Sequence, residues 1–174
     1  MNNMRKFFLV LIALTLLVAC DKIDNEQDIV NFFSNYKDPD PDPQLITIKR
    51  VDFANASSSS LISGWNATLY ASQMRYLYFR ISYDCNVNEQ VPVVIFIKIF
   101  NPNGDLSQGT GSPEGYTTSK TFVTAGDKKK DVLQELGGWG NASQSVYSEG
   151  TYKFEIWDEK DPPKKLFEAT VRLR

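Results

Sequence analysis

The sequence of 174 residues contains no histidine and only two cysteines, Cys20 and Cys85. Without an imidazole, Ser-His-Asp and Cys-His nucleophilic systems and histidine acid–base catalysis are excluded. Nearly every kind of zinc site is excluded as well, because Cys85 would be its one soft ligand if Cys20 is used elsewhere. We therefore expect no catalytic residues, no metal site and no cofactor, and we interpret the chain as something other than an enzyme.

Basic charge is also scarce. The chain carries 19 Lys and Arg against 21 Asp and Glu, a formal net charge of −2. From Gln44 to Arg174 the balance is nearly neutral, with fifteen bases and fourteen acids. Proteins that bind nucleic acids normally present a strongly basic surface. We expect no nucleic-acid partner.

Long apolar runs are limited to Phe7–Val18, whose twelve residues are too few for a bilayer span of about 20 residues. Arg5 and Lys6 precede this run, and a charged start, a short apolar centre and a small residue before the cut are typical of a secretory signal. The run ends in Leu17-Val18-Ala19-Cys20, which resembles the lipobox of bacterial lipoproteins. The resemblance implies a signal peptide of residues 1–19, cleavage before Cys20, and a lipid with fatty acyl chains such as palmitate on that thiol. The lipid on Cys20 would then attach the protein to a membrane.

Residues 20–43 are predicted to form an acidic, Pro-rich tether. Asp21–Pro43 has seven acids and two bases, and Asp38–Pro43 alternates Asp with Pro, which favours an extended spacer. The same Asp spacing is similar to the start of a calcium loop, but Pro43 and Lys49 stand where such a loop needs Gly and a carboxylate. Asp after the lipidated Cys is associated with inner-membrane retention in enteric bacteria, whereas an acidic stretch there resembles a surface-export signal of other Gram-negative lineages. We expect the protein to be located at the outer membrane or cell surface.

From Gln44 onward apolar residues alternate with a period of two, which predicts an all-β domain over residues 44–174. Seven or eight short strands separated by turn signals favour an antiparallel β-sandwich. Val91–Phe100 is predicted to be a central strand buried on much of both faces, because Val94, Phe96 and Phe100 stand opposite its aliphatic face. Three further expectations are a short strand at Trp65–Ala71, a hairpin of Tyr116–Thr124 with Lys130–Leu136, and a long loop at Gly137–Ser148.

The segment Tyr147–Tyr152, leading into Phe154, Ile156 and Trp157, is similar to the penultimate strand of immunoglobulin-like domains, which begins with a tyrosine corner. Met74–Arg174 as a whole resembles a recurrent C-terminal β-sandwich module of exported bacterial proteins. The Cys-Trp-Cys core of antibody domains is absent. The resemblance implies the immunoglobulin-like architecture alone, because a fold does not determine a function.

Three segments have some likeness to chemical sites. Asp158, Glu159 and Asp161 could serve a carboxylate glycosidase, but they lie in a Pro-rich turn where solvated acids are expected. Gly109–Gly115 is glycine-rich but lacks the Lys-Ser/Thr ending of a phosphate loop and leads into a strand. Cys85 is interpreted as a small hydrophobe at a strand end, with a reactive thiol as the less favoured alternative.

Aromatic side chains are the positive signal for binding. Five of them fall at loop or outward positions and are the candidate binding residues: Trp65, Trp139, Trp157, Tyr116 and Tyr147. Sugars stack on aromatic faces, and Trp and Tyr are enriched where proteins meet. The competing interpretation for Trp139 is that it folds back over the end of the sandwich. We expect a lipid-anchored, non-catalytic module for a protein or glycan partner; a structural or assembly subunit of the envelope is the alternative, and a carboxylate glycosidase the weaker one.

Overall fold

The structure is a computed structural model that describes residues 44–57 and 60–174. The predicted signal peptide, Cys20 and the predicted tether lie outside the described residues. Within those residues, no helix is both long and apolar enough to cross a membrane. Gln44–Arg174 forms one compact unit.

In the described residues, seven strands form two antiparallel sheets, which confirms the predicted all-β sandwich. The first sheet has the order β1-β2-β5 and the second the order β4-β3-β6-β7. In immunoglobulin constant domains the fourth strand lies in the sheet of the first and second strands. Here it pairs with the third strand instead. The strands are β1 (Ile46–Ala56), β2 (Tyr76–Cys85), β3 (Pro92–Phe100), β4 (Thr118–Val123), β5 (Val132–Gly140), β6 (Gly150–Asp158) and β7 (Lys165–Leu173).

The core lies between the sheets and is made by the alternating apolar residues of the strands. The fully enclosed members include Leu77, Phe79 and Ile81 of β2, Ile95, Ile97 and Ile99 of β3, and Phe154 and Ile156 of β6. The Phe154 ring joins the two sheets, with its centroid 5.2 Å from that of Phe53 and 4.9 Å from that of Phe79. The period of two therefore identified the inward faces of these strands correctly.

The expected hairpin of β4 with β5 is wrong. Strand β4 pairs with β3 in the second sheet, and β5 pairs with β2 in the first. The connection between them crosses from one sheet to the other. It turns with positive φ at Gly126, Asp127 and Lys128, and its backbone N–H groups donate to the carbonyls of Asn88 and Val87. A short turn between two strands looks the same in sequence whether it closes a hairpin or connects two sheets.

Two other boundaries also differ from expectation. Trp65–Ala71 is not a strand: it contains an isolated bridge from Leu69 to Leu173, and Asn66 has a positive φ of 58°. The loop expected to start at Gly137 starts later, because β5 continues to Gly140 opposite Tyr76. A Cβ on Gly138 would lie 2.8 Å from the Leu77 carbonyl oxygen. Glycines were interpreted as loop residues, but at this point they allow β5 to lie close against β2.

Two local expectations are confirmed. Cys85 is the last residue of β2, is fully buried, and its thiol donates to the Val87 carbonyl over 3.3 Å. Tyr152 forms the corner expected of an immunoglobulin-like penultimate strand: its hydroxyl accepts the Ser148 N–H over 2.9 Å and lies 3.2 Å from the Ser148 carbonyl oxygen. This corner attaches the start of β6 to the preceding loop.

Candidate functional site

The five candidate aromatics lie in three separate places. Tyr116 and Trp157 both lie beside Lys98 on the outer face of the second sheet, Trp139 and Tyr147 meet at one end of the sandwich, and Trp65 lies against the first sheet. All five are half-buried. A single binding surface made of all five is therefore absent from the described residues.

The outer face of the second sheet is the most continuous aromatic surface. Strand β3 directs its odd-numbered isoleucines into the core, so its even-numbered residues Phe96, Lys98 and Phe100 point outward. In the register with β6, Phe96 lies opposite Trp157. Tyr116 reaches the same surface from the segment before β4, with its ring centroid 4.7 Å from that of Phe96. We call Phe96, Lys98, Phe100, Tyr116 and Trp157 the aromatic face.

Tyr116 is held on this face by the backbone around it. Gly115 turns the chain with a φ of 73°, and the Tyr116 N–H donates to the Pro113 carbonyl over 3.1 Å. The next residue, Thr117, is fully buried. Its N–H donates to the Ile97 carbonyl, and its hydroxyl accepts the Ile99 N–H over 2.9 Å. The loop is thus hydrogen-bonded onto β3 directly beside the Tyr116 ring.

Lys98 lies between the rings of Tyr116 and Trp157. Its ammonium is 4.8 Å from the Tyr116 centroid and 4.7 Å from the Trp157 centroid, within the range of a cation–π interaction. Lys98 has no carboxylate and no hydrogen-bond acceptor among residues 44–57 and 60–174. Among the described residues, the Lys98 ammonium therefore interacts with aromatic rings and with no acceptor.

The neighbouring charges are paired with one another. Glu155 accepts from Lys153 over 3.0 Å and from Lys165 over 3.5 Å, and its other oxygen accepts the Trp157 indole N–H over 3.0 Å. Burial raises the pKa of Glu155, but the hydrogen bonds from Lys153 and Trp157 and the two ammonium charges outweigh it, so its pKa is below the ordinary value. Glu168 binds Lys165 over 2.6 Å. Glu155 is thus engaged by other cations although Lys98 is its direct cross-strand partner.

No second layer covers the aromatic face within the described part of the chain, since the two sheets pack their other faces together. This corrects the expectation that β3 is buried on much of both sides. Its outward residues Val94, Phe96, Lys98 and Phe100 are only half-buried. The sequence carried a signal for this face, an aromatic and cationic alternation in β3, but it was interpreted as double burial, and Phe96, Lys98 and Phe100 were missed as site residues.

Trp139 and Tyr147 lie at the end of the sandwich where β3 and β5 finish. Both pack against the core cluster, and the Tyr147 hydroxyl donates to the Trp139 carbonyl and accepts the Leu77 N–H. Burial raises the pKa of Tyr147. A shallow pocket of about 370 Å³ opens beside them, with Ser107, Ser145 and Tyr152 in its lining. This placement matches the interpretation in which Trp139 covers the end of the sandwich.

Trp65 belongs to a different surface. The Arg80 guanidinium lies 4.5 Å from its ring centroid, and Tyr78 lies 6.4 Å away. Arg80 in turn binds the buried Asp52 over 3.0 Å. Trp65 therefore shields a charge pair on the first sheet, on the opposite side of the sandwich from the aromatic face.

The acidic segment suggested for a glycosidase forms a turn. Asp158 ends β6, and its carboxylate accepts the Lys164 N–H over 2.6 Å, while Glu159 and Asp161 are exposed. Two other acids, Glu155 and Glu168, are both engaged by Lys165 on an open sheet face. Among the described residues, no group of three or more His, Cys, Asp and Glu side chains is placed to hold a metal ion.

No family model, no curated protein and no solved structure matches this chain.

Proposed function

We propose that this chain is a lipid-anchored lipoprotein of the bacterial envelope, and that its sandwich is a non-catalytic module that binds a protein or glycan partner. The observation that supports binding is the aromatic face: four aromatic rings, and an ammonium with no acceptor among the described residues, on a sheet surface that no other described layer covers. Leaving large aromatic surface in water is unfavourable, and an apolar patch rimmed by polar groups is typical of an interaction site.

The anchor is supported by the leader and by Leu17-Val18-Ala19-Cys20. Each buried acyl CH₂ contributes roughly 0.8 kcal/mol, so two or more chains hold a protein stably at a membrane. The acidic tether would then hold the sandwich away from the bilayer. We place the protein at the outer membrane or cell surface of a Gram-negative cell.

The anchor is tested by expressing Cys20→Ser and the control Cys85→Ser in a Gram-negative host and fractionating the cells. We expect the Cys20 variant to leave the membrane fraction and the Cys85 variant to stay in it. Mass analysis of the wild-type product should show the loss of residues 1–19 and the addition of acyl chains. An intact leader, or a Cys20 variant that remains fully membrane-bound, would contradict the proposal.

Binding is tested with a photo-crosslinking residue at Thr121 or Thr170, which lie on the outer surface of the second sheet in register with Val94 and Lys153. The matched control carries the crosslinker at Glu135, opposite Arg80 on the first sheet. We expect a partner to be captured in intact cells from the second sheet alone, or the full chain to bind on a glycan array. If neither experiment gives binding that Trp157→Ala weakens, the aromatic face is not a binding site.

The structural or assembly alternative has less support. Every edge strand of the two sheets carries charged side chains, including Lys49 and Arg50 on β1, Lys120 on β4, Glu135 on β5 and Arg172 on β7. Charges on edge strands oppose the addition of a further strand from another molecule. They weigh against assembly of these sandwiches through their edges.

A further inference from the structure

The charges around the aromatic face do not balance. Lys98, Lys153 and Lys165 face the two carboxylates Glu155 and Glu168. The two carboxylates are shared between Lys153 and Lys165, so the uncompensated charge is on Lys98. Its ammonium has three donors and no acceptor among the described residues. The Lys98 ammonium is therefore available to an anionic group that the described residues do not supply.

The two rings beside Lys98 are held in place before any ligand arrives. The Phe96 ring packs against that of Tyr116, and the Trp157 indole N–H is hydrogen-bonded to Glu155. Side chains that are already ordered lose little conformational entropy on binding. The result is an ordered aromatic surface next to the Lys98 ammonium.

We propose that the aromatic face binds an acidic saccharide, with the carboxylate of the sugar at the Lys98 ammonium and the sugar ring against Tyr116 and Trp157. This inference rests on the proposed function and specifies its ligand. A sugar acid combines the two features that the face offers to a ligand: apolar C–H surface for the rings and a negative charge for the ammonium.

A protein partner fits the face less well. Lys is depleted in the centres of protein interfaces, where Arg and aromatic residues are enriched. Lys98 is at the centre of this face, and Lys153 lies 4.3 Å from the Phe100 centroid on the same surface. An acidic glycan satisfies a lysine without requiring it to be buried under a flat apolar partner.

The test compares acidic sugars with counterparts that lack the negative charge. The full chain, purified in detergent, is titrated with tetragalacturonate and its methyl ester, and with sialyllactose and lactose, by calorimetry at 50 and 500 mM NaCl. We expect at least one acidic member to bind at least tenfold more tightly than its neutral counterpart at 50 mM, and this preference to shrink at 500 mM, because salt screens exposed charges.

Variants test whether the preference for acidic sugars comes from the aromatic face. Lys98→Met should remove the preference for the acidic sugar and leave binding of the neutral member unchanged, whereas Lys98→Arg should keep the preference. Trp157→Ala should weaken both members. Lys129→Met is the matched control, because it removes an exposed lysine from the connection between β4 and β5 and should change nothing. A thermal unfolding curve for each variant shows that it remains folded.

Each of these results would overturn the inference: equal affinity for acidic and neutral members, a preference that survives in Lys98→Met, or Lys98-dependent binding to vesicles containing anionic lipid with no glycan bound. If no sugar binds while a protein partner crosslinks at Thr121 or Thr170, the glycan inference is wrong and the proposed binding function stands. If neither a sugar nor a protein partner binds, both the glycan inference and the proposed binding function are wrong.

Discussion

Asp52 is the most enclosed charged side chain among the described residues, with 2% of its surface exposed. Burial raises its pKa, but hydrogen bonds from Asn66 and Arg80 and the charges of Arg50 and Arg80 outweigh burial, and the pKa is lowered below the ordinary value. A carboxylate with a lowered folded pKa contributes stability that is present above its unfolded pKa of about 3.9 and is lost as the pH falls through the folded pKa. Asn66 and Arg80 thus both donate hydrogen bonds to one ionised group.

We predict that Asp52→Asn lowers the free energy of unfolding at pH 7 by about 1–3 kcal/mol, because Arg80 loses the partner that compensates its partial burial. The difference between variant and wild type should shrink as the pH falls from 4 toward 2. Urea unfolding at several pH values measures the loss in unfolding free energy and its dependence on pH. Asp127→Asn is the control, since Asp127 is exposed and Asn also tolerates its φ of 53°. Equal losses for the two variants at pH 7 would contradict the role of Asp52.

At the scale of elements, the C-terminal half of β5 requires glycine because its backbone lies directly against the backbone at the start of β2. A Cβ at Gly140 would lie 1.9 Å from the Arg75 carbonyl oxygen, and the Asn141 N–H donates to that same oxygen over 2.9 Å. The strand therefore runs against the start of β2 with no room for a side chain. This contact places Trp139 at the end of the sandwich.

Gly140→Ala is expected to destabilise the protein by at least about 2 kcal/mol, because the backbone of β5 must move away from β2. Gly111→Ala is the matched control, since no atom lies within 4 Å of its new Cβ, and it should change stability by less than about 0.5 kcal/mol. Denaturant unfolding followed by tryptophan fluorescence measures the stability of both variants. Similar stabilities for both variants would show that β5 does not approach β2 as described.

The corner at the start of β6 gives a second prediction at this scale. Tyr152→Phe removes the hydroxyl that accepts the Ser148 N–H, and we expect a loss of about 1 kcal/mol in unfolding free energy. Tyr70→Phe, at a tyrosine that is 48% exposed, should be neutral. Thermal and urea unfolding of the two variants test the difference, and an equally neutral Tyr152→Phe would mean that the corner does not hold the loop.

At the scale of the whole molecule, the two sheets share one core. Residues of both sheets belong to a single buried cluster, and Phe154 contacts Phe53 and Phe79 across it. A sheet that separated from the other would expose its entire apolar face. We therefore expect the sandwich to unfold as one cooperative unit.

Single-tryptophan versions of the full chain test this expectation. One retains Trp65 beside the first sheet and the other retains Trp157 on the second sheet, with Phe at the remaining two positions. Their urea unfolding curves should be equally steep, and for each chain the fluorescence midpoint should coincide with that from circular dichroism. A fluorescence transition that separates from the circular dichroism in either chain would mean that one sheet unfolds before the other.

Much of the architecture followed from local pattern. The alternation in β2, β3 and β6 identified their inward residues, because successive side chains of a strand always point to opposite faces. The corner at Tyr152 and the buried Cys85 at the end of β2 were likewise predicted. Among the site residues, Tyr116 and Trp157 were predicted at loop or outward positions and both lie beside Lys98 on the outer face. Phe96 and Phe100 were assigned to a buried face, and Lys98 was not singled out.

What the sequence by itself determined is the part governed by neighbours along the chain: the strands, their inward faces and the turn at the start of β6. Pairing partners are set by hydrogen bonds between distant segments, and the connection from β4 to β5 has the same residues whether it joins strands of one sheet or crosses between two. Only the tertiary structure decided that β4 lies beside β3, that no other described layer covers the outer face of β3, and that Lys98 lies between two rings with no carboxylate beside it in the described part of the chain.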